Sequence, residues 1–376
     1  MSALRDDIDP DGLLEYSVVF TDRSLNHMSA AFQGVMRDIS SMLREVYNAD
    51  GVALVPGGGT YAMEAVARQF ADGETVMVLR NGYFSYRWSQ IVEASKLPAD
   101  EHVLMARPVG NAPDAPFAPP PLDEVVAQIG ETKPAVVFAP HVETSSGMIL
   151  PDDYIRDAAA AAHAVGSLFV LDCIASGCVW VDMKALGVDV LISAPQKGWS
   201  ASPSAGLVML SEAAIARTKA RASSSFAVDL GKWLAIMEAY EAGGHAYHAT
   251  MPTDALRGFR DVMVETREIG FDRLKAAQWE QGKRIRALLA GRGIRSVAAE
   301  GFEAPGVVVL FTDDPERQSG RAFAAQGMQI AAGVPLMIGE GDDYRSFRIG
   351  LFGLDKLLDV DASVARFEAV LDRIAA

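Results

Sequence analysis

The chain carries two cysteines in 376 residues, Cys173 and Cys178. Two thiols this close in sequence cannot build a disulfide scaffold, and free cysteine is most often a small buried hydrophobe. No stretch reaches the ~18 consecutive apolar residues that a membrane span requires. Long basic runs are missing as well, and the formal net charge is −15. That balance argues against nucleic acid and anionic membranes as partners. The opening MSALRDDIDPDGLLEY lacks the apolar core of a secretion signal. These absences lead to the expectation of a soluble, cytoplasmic protein with no metal site.

What is present is hydrophobic material: half of the residues are apolar, enough for a large core. The length suggests two domains. Met28, Phe32, Val35, Met36, Ile39, Leu43 and Val46 recur at helical spacing and predict an amphipathic helix over 28–46. Short apolar runs then alternate with helical patterns. GVALV (51–55), TVMVLRNG (75–82), AVVFAPH (135–141), SLFVLDC (167–173), DVLISAP (189–195) and AGLVML (205–210) read as strands. TYAMEAVARQF and the stretch from about Asp152 to Val165 read as helices, and residues 108–121 as a proline-rich loop. Strands that are apolar throughout, separated by helices, imply an α/β fold with a mostly parallel sheet covered on both faces. After about residue 250 the pattern changes to long helices over 253–290. Strand-like GVVVLF (306–311) and SFRIGLFG (346–353) and a last helix from about 360 follow. This predicts a large domain over 1–255 and a smaller α+β domain over 256–376.

In parallel sheets of this type, ligands bind beyond the C-terminal strand ends. The predicted strand ends carry Gly57-Gly58-Gly59-Thr60, Asn81-Gly82, the run His141 to Gly147, Asp172 and Lys197. VPGGGTYA fits the dinucleotide pattern through Gly57, Gly59 and Ala62, and Arg80 could face an NADP 2′-phosphate. The same turn is also a plain phosphate cradle at a helix N-terminus, or simply a tight turn. Asp172 has a bland reading as a cap, and Lys197 as a surface residue. Yet a lysine amine can form a Schiff base with a carbonyl. Pyridoxal 5′-phosphate (PLP) needs a phosphate cradle, a Schiff-base lysine and an acid at its ring nitrogen, and so accounts for three separate loops.

With these residues in hand, the sequence resembles the class V aminotransferases. These are PLP-dependent enzymes of fold type I, and the likeness is to their alanine–glyoxylate and serine–glyoxylate branch. It runs from roughly residue 25 to 353. SAPQKGW resembles the family's S-x-x-Q-K-G segment, which implies Lys197 as the Schiff-base lysine and Gln196 as a phosphate ligand, with Ser193 assisting. VLDCIASG resembles V-D-S-V-A-S, implying Asp172 at the pyridine nitrogen and Ile174 against one ring face. PHVETSSGMILP resembles H-x-E-S-S-T-G, with Thr144 where a hydroxyl meets the phenolic oxygen. PGGGTYAMEA resembles the phosphate turn and implies Gly58, Gly59 and Thr60 as ligands. NGYFSYRW resembles N-G-x-W-G-x-R, with Phe84 in place of the stacking tryptophan. AYHATMP resembles Y-H-x-T-x-P, implying that Tyr247 and Thr250 reach the phosphate of a neighbouring subunit in a homodimer. FRIGLFG matches the R-I-G segment, and Arg348 should clamp a substrate carboxylate; its plain alternative is a buried structural ion pair.

The resemblance implies an aminotransferase that moves an amino group from an alanine- or serine-type donor to a 2-oxo acid such as glyoxylate or pyruvate. Two alternatives stand beside it. One is a 2-aminoethylphosphonate-type transaminase or another class V PLP enzyme, and the remote one is an NADP-dependent oxidoreductase. A desulfurase would need a mobile nucleophilic cysteine, whereas both cysteines lie beside Asp172. The opening departs from the family: no Gly-Pro turn is present, and Asn26-His27-Met28 stands where a His-Arg pair is expected. That departure touches the segment expected to shape the substrate pocket.

Overall fold

The computed structural model describes residue 5 and residues 7–18, 20–112 and 114–375. Residues 1–4 and 6 of the opening stretch, and Pro113 of the proline-rich loop, lie outside the described residues. Seven strands form the main sheet: β1 (Gly51–Pro56), β2 (Thr75–Arg80), β3 (Asp100–Met105), β4 (Val136–Pro140), β5 (Leu168–Asp172), β6 (Val190–Ser193) and β7 (Ala205–Leu210). Their order is β1-β7-β6-β5-β4-β2-β3. The pairs β6–β5, β5–β4, β4–β2 and β2–β3 are parallel. Only β7 runs against its neighbours, β6 and β1. The turn from β6 to β7 lacks the crossover helix that a parallel connection needs, so the chain doubles back.

β3 was not anticipated from the sequence. Its DEHVLM mixes charged and apolar residues because it is an edge strand, half-exposed along most of its length. Charge on an edge also discourages pairing with another sheet.

The helices cover both faces. α1 (Ala30–Tyr47) begins where the Ser29 hydroxyl caps the Phe32 N–H and ends on Asn48 in the left-handed conformation. It buries Phe32, Val35, Met36, Ile39 and Leu43, the face expected from their spacing. α2 (Gly59–Phe70), α3 (Tyr83–Ser95), α4 (Leu122–Thr132) and α5 (Asp152–Ala164) follow β1, β2, β3 and β4. α6 (Leu230–Glu241) and α7 (Thr253–Ile269) both pack against α1.

The expected division near residue 255 falls at the start of α7. Leu256, Phe259 and Met263 of α7 belong to the core of the large sheet. α8 (Phe271–Gly291) begins in that core through Leu274 and ends in another through Ile285 and Leu289. The second core lies under a smaller antiparallel sheet of β8 (Val307–Phe311), β9 (Ala331–Ala332) and β10 (Ser346–Gly350), ordered β8-β10-β9. α9 (Val360–Ala375) closes its far side with Phe367 and Leu371. The C-terminal ends of β1, β2, β4, β5 and β6 face one way, and Arg348 of β10 meets them across a cleft.

Candidate active site

A cavity of about 380 Å³ sits in that cleft. Gly59, Thr60, Phe84, Thr144, Asp172, Ile174, Gln196, Lys197 and Arg348, all singled out from the sequence, line it.

The turn after β1 starts at Gly57, whose φ of 121° suits glycine. Gly58 is the N-cap of α2, next to the cavity, and the helix starts at Gly59. The first N–H groups of a helix have no upstream acceptor, so those of Gly59 and Thr60 are free to meet an anion. Glycine at 59 has a steric reason: a Cβ there would lie 2.4 Å from Ile174 Cδ1.

Phe84 is carried by the first turn of α3, and a buried carboxylate plugs that helix end. Glu143 accepts from the Phe84 N–H at 3.1 Å, the Ser85 N–H at 2.8 Å and the Ser85 hydroxyl at 2.7 Å. It also takes the Ser145 N–H at 3.0 Å and the Ser145 hydroxyl at 2.7 Å. A negative charge on a helix N-terminus is favourable, and here it fixes where the Phe84 ring stands. Sequence reasoning did not single out Glu143; the signal was an acid inside the polar ETSSG run.

Asp172 ends β5. Its Oδ1 accepts the Ile174 N–H at 3.0 Å. Burial pushes its pKa up to about 7, the Ile174 bond opposes this, and the charge of Glu143 adds to it. Lys197 lies beyond β6. Burial lowers its pKa, and the positive charge of Arg348 lowers it further. The small neighbours of Lys197 have a packing role, since a Cβ on Gly198 would meet the Gly177 carbonyl oxygen at 2.0 Å. Arg348 spends its Nε on the Ala332 carbonyl at 2.8 Å, and its guanidinium lies 5.6 Å from the Phe84 ring centroid. Among the described residues it has no carboxylate partner within the 4.0 Å of an ion pair, so the plain ion-pair reading of Arg348 is not what the structure holds.

Four residues, Ser193, Tyr247, Thr250 and Arg80, fall outside the cavity lining. Ser193 accepts from the Tyr47 hydroxyl at 3.3 Å and does not line the cavity. Tyr247 is 57% exposed, shares a 3.3 Å hydrogen bond with Thr250, and sits outside the cavity. Arg80, the residue behind the NADP alternative, is buried away from the glycine turn. It donates to Ser89 Oγ at 2.7 Å and lies 4.6 Å from the Tyr86 ring centroid, so it is not poised for a 2′-phosphate. The charged lining residue that was not singled out is Arg87, whose Nη1 donates to Thr60 Oγ1 at 3.0 Å. Its signal was the helical spacing from Phe84 to Arg87, which puts both on one face of α3.

These residues fit PLP. The Gln196 Oε1 is buried with no hydrogen-bond partner among the described residues. The Asp172 carboxylate is buried without a cation in ion-pair contact among the described residues, which suits a protonated ring nitrogen. The free helix N-terminus suits a phosphate.

The family model for Aminotransferase class-V matches residues 13–333. The soluble hydrogenase small subunit of Synechococcus sp. (strain PCC 6716) is 25% identical over 354 residues, 92% of this chain and 87% of that protein. The alanine–glyoxylate aminotransferase of Felis catus is 28% identical over 276 residues, 71% of this chain and 62% of its own length. In fold, the chain superposes on the alanine–glyoxylate aminotransferase of Nostoc sp. with a TM-score of 0.78 at 23% identity, covering 94% of this chain and 89% of that one. The sheet order, the pocket at its strand ends and a match over most of the length agree: the chain belongs to the class-V aminotransferases, PLP-dependent enzymes of fold type I.

Proposed function

We propose that this pocket transaminates between a small amino acid of alanine or serine type and a 2-oxo acid such as glyoxylate or pyruvate. The observation that carries the reading is the meeting of Lys197, Asp172, Phe84 and Arg348 around one cavity. Bound there, PLP would supply an aldehyde for a lysine amine and a ring that accepts electrons from the substrate carbon. Asp172 would hold the ring nitrogen protonated, with Phe84 and Ile174 on the ring faces and Thr144 at the phenolic oxygen. Gly58, Gly59, Thr60 and Gln196 would take the phosphate, joined by Tyr247 and Thr250 of the partner subunit in a homodimer with shared sites.

Among the described residues both Nη groups of Arg348 are free for a substrate carboxylate, which a guanidinium grips bidentately. Lys197 supplies the proton shuttle. Its lowered pKa leaves more neutral amine near neutral pH, the form that removes a proton from the substrate carbon and returns it. The rest of the lining includes Met63, Val142, Ala175 and Val307. Such walls suit a small uncharged side chain.

A phosphonate donor is the second reading, favoured by Arg87 as a further guanidinium in the lining. The absorption spectrum of the purified protein tests the main reading. The wild type should show a near-visible band that bleaches when an amino donor is added, and Lys197→Ala should lack it. A wild type that stays colourless after incubation with PLP would sink the reading. A panel of alanine, serine and 2-aminoethylphosphonate with glyoxylate or pyruvate then separates the two donors.

A further inference from the structure

The cradle assigned to the cofactor phosphate consists of neutral groups: the backbone N–H groups of Gly58, Gly59 and Thr60, the Thr60 hydroxyl, the Gln196 amide, and the hydroxyls of Tyr247 of the partner subunit and Thr250 of the partner subunit. A phosphate monoester carries about −1.5 to −2 at pH 7. A helix N-terminus offsets only about half a charge. The cradle so described leaves most of that charge unbalanced.

Arg87 stands at this place. Its Nη1 is 3.0 Å from Thr60 Oγ1, in the first turn of α2. Its guanidinium lies 5.3 Å from the Phe84 ring centroid, which fixes it beside the proposed cofactor ring. Among the described residues no Asp or Glu pairs with it within 4.0 Å, so its charge is not spent on the protein. The other guanidinium, Arg348, comes from the smaller sheet and acts on Lys197, at the reacting end. The two cations therefore approach from different elements: one from α3 at the helix terminus, the other from β10 at the amine.

We propose that Arg87 pairs with the phosphate of bound PLP and not with a second anionic group on the substrate. This rests on the reading of the pocket as the cofactor site. An arginine on that phosphate also explains why its hydroxyl contact is Thr60: the side chain is held at the cradle before the anion arrives.

The test is titration of cofactor-free protein with PLP and with pyridoxal, which lacks the phosphate, followed by absorbance. Arg87→Gln should raise the dissociation constant for PLP about 10- to 100-fold, the range for losing a charge-assisted hydrogen bond. Pyridoxal binding should not change. Arg87→Lys keeps the charge but not the fork, and should fall between. Equal losses for PLP and pyridoxal would mean that Arg87 only shapes the wall, which overturns the proposal. So would unchanged PLP affinity with a raised KM for 2-aminoethylphosphonate, which would assign the guanidinium to the substrate. A wild type that binds neither compound would defeat the cofactor reading itself, an outcome distinct from both.

Discussion

Asp172 carries its charge at a disadvantage, because burial favours the protonated form and lifts its pKa to about 7. In the unfolded chain the same group titrates near the ordinary value of 3.8. Between those pH values the folded protein binds a proton that the unfolded chain does not. The contribution of this group is therefore full below the unfolded pKa and is lost as pH rises through the folded one. Cofactor-free wild type should lose stability relative to cofactor-free Asp172→Asn between about pH 4 and pH 7, by on the order of a few kcal/mol. Urea midpoints of both proteins across that window measure it, and a constant difference between them would refute it. With PLP bound the order reverses in function: kcat of Asp172→Asn should fall at least about 100-fold, since a preorganised charge is lost. At this scale much of the candidate site was legible. Asp172, Lys197 and Arg348 were each found from an ionisable residue placed where an apolar strand ends or in a matching segment. Glu143 and Arg87 were not, because their roles depend on what meets them across the fold: a helix end for one, a hydroxyl on another helix for the other.

Elements place these side chains through close backbone approaches, and glycines mark where. A Cβ at Gly198 would collide with a backbone carbonyl at 2.0 Å, which cannot rotate aside as a side chain can. Gly198→Ala should push the Lys197 loop away from Gly177. The expected loss is about 1–3 kcal/mol of stability, together with a weakened near-visible band. Gly34 is the control: it lies inside α1 with nothing within 4 Å of a new Cβ. Gly34→Ala should raise stability by about 0.5–1 kcal/mol, because alanine is the better helix former. Thermal melts of the two variants should move in opposite directions, and a Gly198→Ala that melts like wild type with its band intact would break the argument. Periodicity exposed the elements buried on both faces, β1, β2, β4, β5, β6 and β7. It hid β3, whose charges answer to its edge position. It also could not show that β7 runs backwards, because strand direction is set by the connection and leaves no mark on the apolar pattern.

At the scale of the whole molecule, Tyr247 and Thr250 lie in AYHATMP, which resembles the family's phosphate-binding segment, yet both lie outside the cavity of this chain. Phe226, which packs on His248 beside Tyr247, is an exposed apolar residue, as are Leu13, Tyr16 and Val18 of the N-terminal segment. Surface of this kind asks to be covered. The proposed homodimer puts Tyr247 and Thr250 of one subunit at the phosphate of the other, and hybrid dimers test this directly. One parent is Lys197→Ala, and the other is the double variant Tyr247→Phe, Thr250→Ala; each should be strongly impaired alone. In the hybrid, shared sites segregate the lesions. One site receives the missing lysine and both altered ligands, while the second keeps its own Lys197 and the wild-type Tyr247 and Thr250 of the partner subunit. Mixing the parents under conditions that exchange subunits should therefore restore activity, with one intact site in every hybrid. If Tyr247 and Thr250 served their own subunit, every site in the hybrid would carry a lesion and mixing would restore nothing. A mixture no more active than the mean of its parents, with subunit exchange verified by a tag on one of them, would overturn the shared-site arrangement.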